Sequence, residues 1–444
     1  MKKFLSSIVF VVVLTLSAYA QTADQYFQAG LQFYNTKAYD QAITSFSAAI
    51  SLNPNMSAAW FNRGQSYYYK GVFDKAIVEY SQALKLKPDM IDGYFQRALA
   101  YSKLKNYDAS IADYSQGLKL APTDAQFWHN RALVYVEKGL PDQALADYNE
   151  AIRLNPAYIK AFINRGGIYF RKKNYPAAIA DFTKARDLDP TLVEARYNLG
   201  QANYFSQNYD AAIASYTETI KLAPNRSDAY MQRGLSHVKK RELDLAIADY
   251  TKGIEIAPQN SDLYHNRGNA YIDKELTDLA MADFGKVLQL NPKAAKTLLA
   301  RGNAQYRAQN YDLAIADFSA AIDVDPNYVD ALSNRAVVYN VKGQYNLAIV
   351  DLTQAIKLAP ANPTVYRNRS ISHYQKKNYD LSLADLNELI RLDPKTARNY
   401  AMRAEVYEKN NQKDLAIVDY RAAQKLDPAN TFAKAGLARL GATP

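Results

Sequence analysis

Apolar and small residues return along this chain with a period of 34. Prolines at 54, 88, 122, 156, 190, 224, 258, 292, 326, 360, 394 and 428 mark it without an insertion. Numbering each repeat so that this proline is position 32 gives twelve repeats, starting at 23, 57, 91, 125, 159, 193, 227, 261, 295, 329, 363 and 397. Position 8 is always small, from Gly30 to Ala404, and position 20 is always Ala or Ser. Position 24 is aromatic or Leu, from Phe46 to Tyr420, and position 30 is Leu, Ile or Val. Positions 4, 7, 8 and 11 share one helical face, and 20, 24 and 27 share another. The pattern predicts two helices per repeat. Small residues let their axes approach, the large residue at 24 fills the gap beside them, and the proline stops the second helix.

Repeat two shows the signature in full: Trp60, Gly64, Tyr67, Ala76, Tyr80, Ala83 and Pro88. This set resembles the tetratricopeptide repeat family, and the resemblance covers residues 23–430. It implies an all-α fold, a right-handed α-solenoid superhelix of helix-turn-helix repeats with a concave inner groove. Local departures are Pro141, Thr277 and Lys413 at position 17, and Asn203, His237, Gln305 and His373 at position 11, where looser packing is expected. Residues 431–444, with Phe432, Leu437 and Leu440, fit a C-terminal capping helix that covers the last apolar face.

Position 7 faces inward yet is Arg in ten repeats, and position 23 is acidic in ten. The pairs are Arg63 and Glu79, Arg97 and Asp113, Arg131 and Asp147, Arg165 and Asp181, and Arg233 and Asp249. The remainder are Arg267 and Asp283, Arg301 and Asp317, Arg335 and Asp351, Arg369 and Asp385, and Arg403 and Asp419. The exceptions fall together: Ala29 with Ser45 in the first repeat, Leu199 with Ser215 in the sixth. Pairing an acid with the next repeat's arginine fails, because Ser45 would then face Arg63. The sequence therefore predicts a buried ion pair inside each hairpin, structural rather than functional, with guanidinium chosen for its bidentate fork. Lysine at position 14 (Lys70, Lys138, Lys172, Lys240, Lys274, Lys342 and Lys376) reads as a cation at a helix C-terminus.

If 4, 7, 8 and 11 face inward, positions 2, 5, 6, 9, 12 and 13 of the first helix face outward. By the family resemblance that face lines the groove. Position 6 is a carboxamide in Gln28, Asn62, Gln96, Asn130, Asn164, Asn198, Gln232, Asn266, Asn334 and Asn368. A carboxamide both donates and accepts, so a row of them suits a peptide backbone of any sequence. The row resembles the asparagine ladder in the tetratricopeptide superhelix of O-linked N-acetylglucosamine transferase. Phe27, Phe61, Phe95 and Tyr197 at position 5, with Tyr68, Phe170 and Tyr204 at position 12, add aromatic surface, part of it expected to be spent between adjacent first helices. Family members that clamp a terminal carboxylate carry basic residues at positions 2, 5 and 6. Here those positions hold mostly Asp, Phe and Asn.

Composition narrows the chemistry. The chain has 444 residues, no cysteine and 4 histidines, so disulfides, thiolate chemistry and cysteine zinc sites are excluded. His129 and His265 share position 5, while His237 and His373 share position 11, each pair four repeats apart, as are Phe46, Phe182 and Phe318. This spacing hints at a duplicated four-repeat block and argues against one metal or catalytic cluster. No phosphate loop or nucleophile elbow appears. No cofactor, metal or catalytic residue is expected. The net charge of +10 is spread along the chain without a dense basic tail, which argues against nucleic acid. Residues 1–20 read as a secretory signal peptide: MKK, an apolar stretch over 4–17, then Ala18 and Ala20 before Gln21. The mature solenoid, 21–430, is expected in the periplasm or outside the cell, the alternative being a membrane anchor through an uncleaved 4–17 segment. The expected partners are proteins or peptides. Self-association, or service as an accessory subunit of an envelope enzyme or secretion complex, stays open.

Overall fold

The computed structural model describes residues 22–443, and within them every regular element is a helix. Residues 1–20, read above as a signal peptide, lie outside the described residues. Twenty-five helices alternate in length, the odd-numbered ones of thirteen residues and the even-numbered ones of fourteen, up to a final helix of nine.

The helices fall into two compact bodies, which meet in sequence between Gln207 and Asn208. The first body holds α1 (Ala23–Asn35), α2 (Tyr39–Leu52), α3 (Ser57–Tyr69), α4 (Phe73–Leu86), α5 (Ile91–Lys103) and α6 (Tyr107–Leu120). It continues with α7 (Ala125–Glu137), α8 (Pro141–Leu154), α9 (Ile159–Arg171), α10 (Tyr175–Leu188) and α11 (Val193–Phe205). The second body runs α12 (Tyr209–Leu222), α13 (Ser227–Lys239), α14 (Leu243–Ile256), α15 (Ser261–Asp273), α16 (Thr277–Leu290), α17 (Ala295–Arg307) and α18 (Tyr311–Val324). It ends with α19 (Val329–Val341), α20 (Tyr345–Leu358), α21 (Pro363–Gln375), α22 (Tyr379–Leu392), α23 (Ala397–Lys409), α24 (Lys413–Leu426) and α25 (Thr431–Arg439). Within each body a helix packs on the helices next to it in sequence, so the contacts are local.

Two stops define each hairpin. The first is a tight turn at position 15, held in the left-handed region at Lys37, Gly71, Lys105, Gly139 and Lys173, with φ between 58° and 80°. There the Gly71 N–H donates to Tyr68 O and the Val72 N–H to Tyr67 O, a Schellman pattern that satisfies the last carbonyls of α3. Glycine takes this conformation freely; a lysine there costs roughly 1 kcal/mol. The second stop is the position-32 proline. The residue before it must be extended, and Asn53, at φ −135° and ψ 87°, is the cap that ends α2. At Pro141, one of the local departures, proline is the first residue of α8, where its missing N–H costs nothing.

Inside the hairpin the ring at position 24 lies on the small residue at position 8. A Cβ added at Gly30 would stand 2.5 Å from the Phe46 ring, and one at Gly302 would stand 2.6 Å from the Phe318 ring. Phe46, Tyr80, Phe284 and Tyr420 are fully buried. At the C-terminus, α25 places Ala433 and Leu437, both fully buried, against Ala416, Tyr420 and Ala423 of α24.

Candidate functional site

The arginines at position 7 set the frame on which any binding face rests. Each of the ten meets the acid of its own hairpin through Nε and Nη2, at 2.5–2.9 Å. The acids are 4–8% exposed. The bond to Asp181 holds the Arg165 guanidinium above its usual range, against the opposing cost of burial. Below the guanidinium lies the ring at position 4: Arg63 sits 4.8 Å from the Trp60 ring centre and Arg131 4.9 Å from that of Trp128.

The third guanidinium nitrogen does something the sequence did not disclose. Nη1 donates to position 25 of the preceding repeat: Arg63 to Ser47, Arg97 to Ser81, Arg131 to Ser115, Arg165 to Asn149 and Arg233 to Thr217. Arg267, Arg335, Arg369 and Arg403 do the same with Thr251, Ser319, Thr353 and Asn387. The pairing rule inside the hairpin therefore describes two of three bonds, and the third ties each hairpin to the one before. Position 25 gave little signal because Ser, Thr and Asn read as ordinary polar surface. At Arg301 the place is taken by Gly285, which has no side chain to accept; this arginine side chain is the most exposed of the ten, at 28%.

Outside this frame lies the expected binding face. Of the ten position-6 carboxamides, Gln28 is exposed and the other nine are half-buried. Asn62 and Asn130 donate Nδ2 to carbonyls of their own helices, Ala58 and Gln126, at 2.8 Å. Asn334 donates to Asn303 Oδ1 and Asn368 to Ser333 Oγ, each in the preceding repeat. Some of the row is thus held in place by the fold.

Part of the aromatic surface is spent between adjacent first helices, as expected: Phe95 of α5 meets Phe127 of α7, and Phe170 of α9 meets Phe205 of α11. Phe27 and Phe61 pack on Phe46 and Tyr80 of the second helix in their own hairpin, with ring centres 5.7 Å apart. Phe95 touches Tyr114 and, at 5.0 Å, Phe127. The position-5 rings are half core. The freer aromatic surface gathers near the tight turns. Tyr34, Tyr39, Tyr68 and Tyr69 form one cluster; Phe170, Tyr175, Tyr204 and Phe205 form a second, four repeats later. Tyr69 is 58% exposed and Phe205 51%. Tyr197, named from the sequence, is half-buried.

The lysines at position 14 also reach further than a helix end. Lys70, Lys274 and Lys342 pair with Asp40, Asp244 and Asp312, at position 18 of the preceding repeat, and Lys172 meets Asp142 at 2.9 Å. The aspartates are largely exposed, so each pair is worth about 1 kcal/mol or less. The histidines lie apart, and among the described residues no group of three His, Asp or Glu side chains is placed to hold a metal ion.

The family model described as tetratricopeptide repeat matches residues 129–193, 194–261, 265–328, 299–364 and 334–397. A model described as TPR repeat matches 30–71 and 64–105, and two further tetratricopeptide repeat models match 91–124 and 397–430. No curated protein matches the chain. Among solved structures it is similar to MamA, at 33% identity over 36% of this chain and 95% of that one, with a TM-score of 0.35. The C-terminal part of a TPR repeat-containing protein from Cytophaga hutchinsonii is 22% identical over 54% of this chain and 98% of that one, with a TM-score of 0.49. YrrB, a TPR protein described as having an unusual peptide-binding site, is 23% identical over 42% and 97%, with a TM-score of 0.39.

Proposed function

The chain belongs to the tetratricopeptide repeat family, a fold of protein–protein interaction, and on that premise we propose that it is a non-catalytic module that binds extended segments of partner proteins along its first helices. Twelve repeats would present the row of carboxamides, and these would pair with the amides of a bound backbone while apolar neighbours take its side chains. The observation that carries this reading is a division of labour. The charged residues of positions 7 and 23 are turned inward and bonded to one another, whereas the carboxamides stand beside them half-buried and outside that network. The pattern of residues 1–20 supports export, with the periplasm or the exterior as the place of action.

Replacing Asn164→Ala together with Asn198→Ala tests the row. Both lie in the first body, and neither is a hydrogen-bond partner of Arg165. Affinity for an extended peptide, read by fluorescence anisotropy, is expected to fall about tenfold, two lost hydrogen bonds at roughly 1 kcal/mol or less each. Unchanged affinity would remove the row from the binding surface.

One feature favours a second reading, self-association. Position 19 is Leu in all six complete repeats of the second body, though Ala211 in α12: Leu245, Leu279, Leu313, Leu347, Leu381 and Leu415 are each about half exposed. In the first five repeats the same position holds Gln41, Lys75, Ala109, Gln143 and Ala177. The fold therefore does not require leucine there, and a run of exposed leucines is a surface that associates. A dimer in light scattering that Leu313→Gln with Leu347→Gln converts to monomer would support this second role; a monomeric wild-type chain would exclude it.

A further inference from the structure

The second helices of the last three repeats carry a surface that matches itself. Positions 18, 19, 22 and 29 lie on one side of a second helix at 3.6 residues per turn. In α20, α22 and α24, positions 19 and 22 are Leu347 with Val350, Leu381 with Ala384, and Leu415 with Val418. All six are exposed, Val350 by 66% and Val418 by 61%. The leucines and valines together expose about 500 Å², at the upper end of what the surface of a monomer carries. In α14, α16 and α18 position 22 is only Ala248, Ala282 and Ala316, so the valines belong to this end of the chain.

Charge frames this patch with opposite signs. At the tight-turn end of the helices, position 18 is acidic in Asp380 and Asp414; at the proline end, position 29 is basic in Lys357, Arg391 and Lys425. All five are exposed. Elsewhere in this body Asp244 and Asp312, also at position 18, are met by a lysine of the following repeat. Asp380 meets Asn410 instead, at 3.1 Å, and Asp414 lies in the last complete repeat, with no such lysine after it. On the basic side Glu388 engages Arg391 at 2.8 Å. The three repeats before these lack the opposition of sign: positions 18 and 29 are Asp312 and Asp323 in α18, Asp278 and Gln289 in α16, and Asp244 and Glu255 in α14.

We propose that the chain forms a two-fold dimer through α20, α22 and α24, with the second helices of the two copies antiparallel. An apolar patch with acid at one end and base at the other is completed by its own copy turned end for end. A two-fold axis running across the helices brings the leucines and valines of both copies together. It also sets Asp414 of one copy against Lys425 of the other, and Asp380 against Arg391, each twice per dimer. The same turn applied to α18 or α14 would set acid against acid, which confines the contact to the last three repeats. The proposal rests on the self-association reading above and gives that reading a place and a direction. It uses second helices alone, so the carboxamide row is left free.

Sedimentation equilibrium of the full chain tests it. The wild type should dimerise. Asp414→Lys and Lys425→Glu should each weaken the dimer about tenfold, because each sets like charges together at two places. An equal mixture of these two variants should recover the wild-type affinity, since opposite charges then face each other at both places. Val350→Asn with Val418→Asn should also weaken the dimer, whereas Leu279→Gln, outside the last three repeats, should leave it unchanged. A wild-type chain that stays monomeric would overturn this dimer and the self-association reading together. A dimer indifferent to the charge reversals and to the valine substitutions would keep that reading and place its interface elsewhere. Reversals that weaken the dimer without recovery on mixing would refute the antiparallel arrangement, and a loss on Leu279→Gln would refute its confinement to the last three repeats.

Discussion

Arg165 holds three neighbours with one planar group: Asp181 of its own hairpin, Asn149 of the hairpin before, and the Phe162 ring 5.6 Å away. Removing one partner of such a pair strands the other charge in a largely dry place. Arg165→Leu is expected to destabilise by about 3–5 kcal/mol in urea unfolding, and adding Asp181→Ser should recover much of the loss. Strictly additive losses would mean that the two side chains do not depend on each other. The pair was legible in the sequence because Ala29 with Ser45, and Leu199 with Ser215, lose both members together. The bond to position 25 was not, since its acceptors vary and look like surface. Arg301 tests that bond from the other side. A Cβ at Gly285 would meet nothing within 4 Å, so Gly285→Ser fits and offers the missing acceptor. With the helix-propensity gain, it should stabilise by about 1–2 kcal/mol, seen as a raised urea midpoint with an unchanged m-value.

At the scale of the helix, the period of proline placed the boundaries well, because two rigid rules meet there: proline ends one helix and forces the residue before it to be extended. The second helices end at position 30 in every case, from Leu52 to Leu426. The turn between the two helices of a repeat was less legible. Its left-handed residue is Gly71, Gly139 or Gly343 in three repeats but Lys, Arg, Gln, Glu or Asn in others, so no glycine signal runs through the chain. The backbone demand is the same in all of them. Gly139, at φ 80°, has open space around the site of a Cβ, so Gly139→Ala isolates the backbone term. Its expected cost is roughly 1 kcal/mol, read as a lowered thermal midpoint. No loss there would mean that the turn relaxes to another conformation.

At the scale of the whole molecule, stability and binding are both sums over repeated local parts. Helices touch their immediate neighbours in sequence, and the arginine bonds carry that contact from one hairpin to the next within each body. The repeat architecture was readable because 34-residue spacing leaves few alternatives. The proposed binding face was readable only in outline. Side-chain type marked the carboxamides, but whether a ring such as Phe61 serves the core or the surface depends on what lies behind it, here Tyr80. On this reading the first helices, not the second, receive the partner. Side-chain carboxamide and leucine methyl NMR signals of the full chain, followed during titration with an extended peptide, address it directly. Shifts are expected in Asn130, Asn164 and their counterparts in the row, with the leucines of position 19 unmoved. Shifts confined to those leucines, with the carboxamides silent, would contradict it.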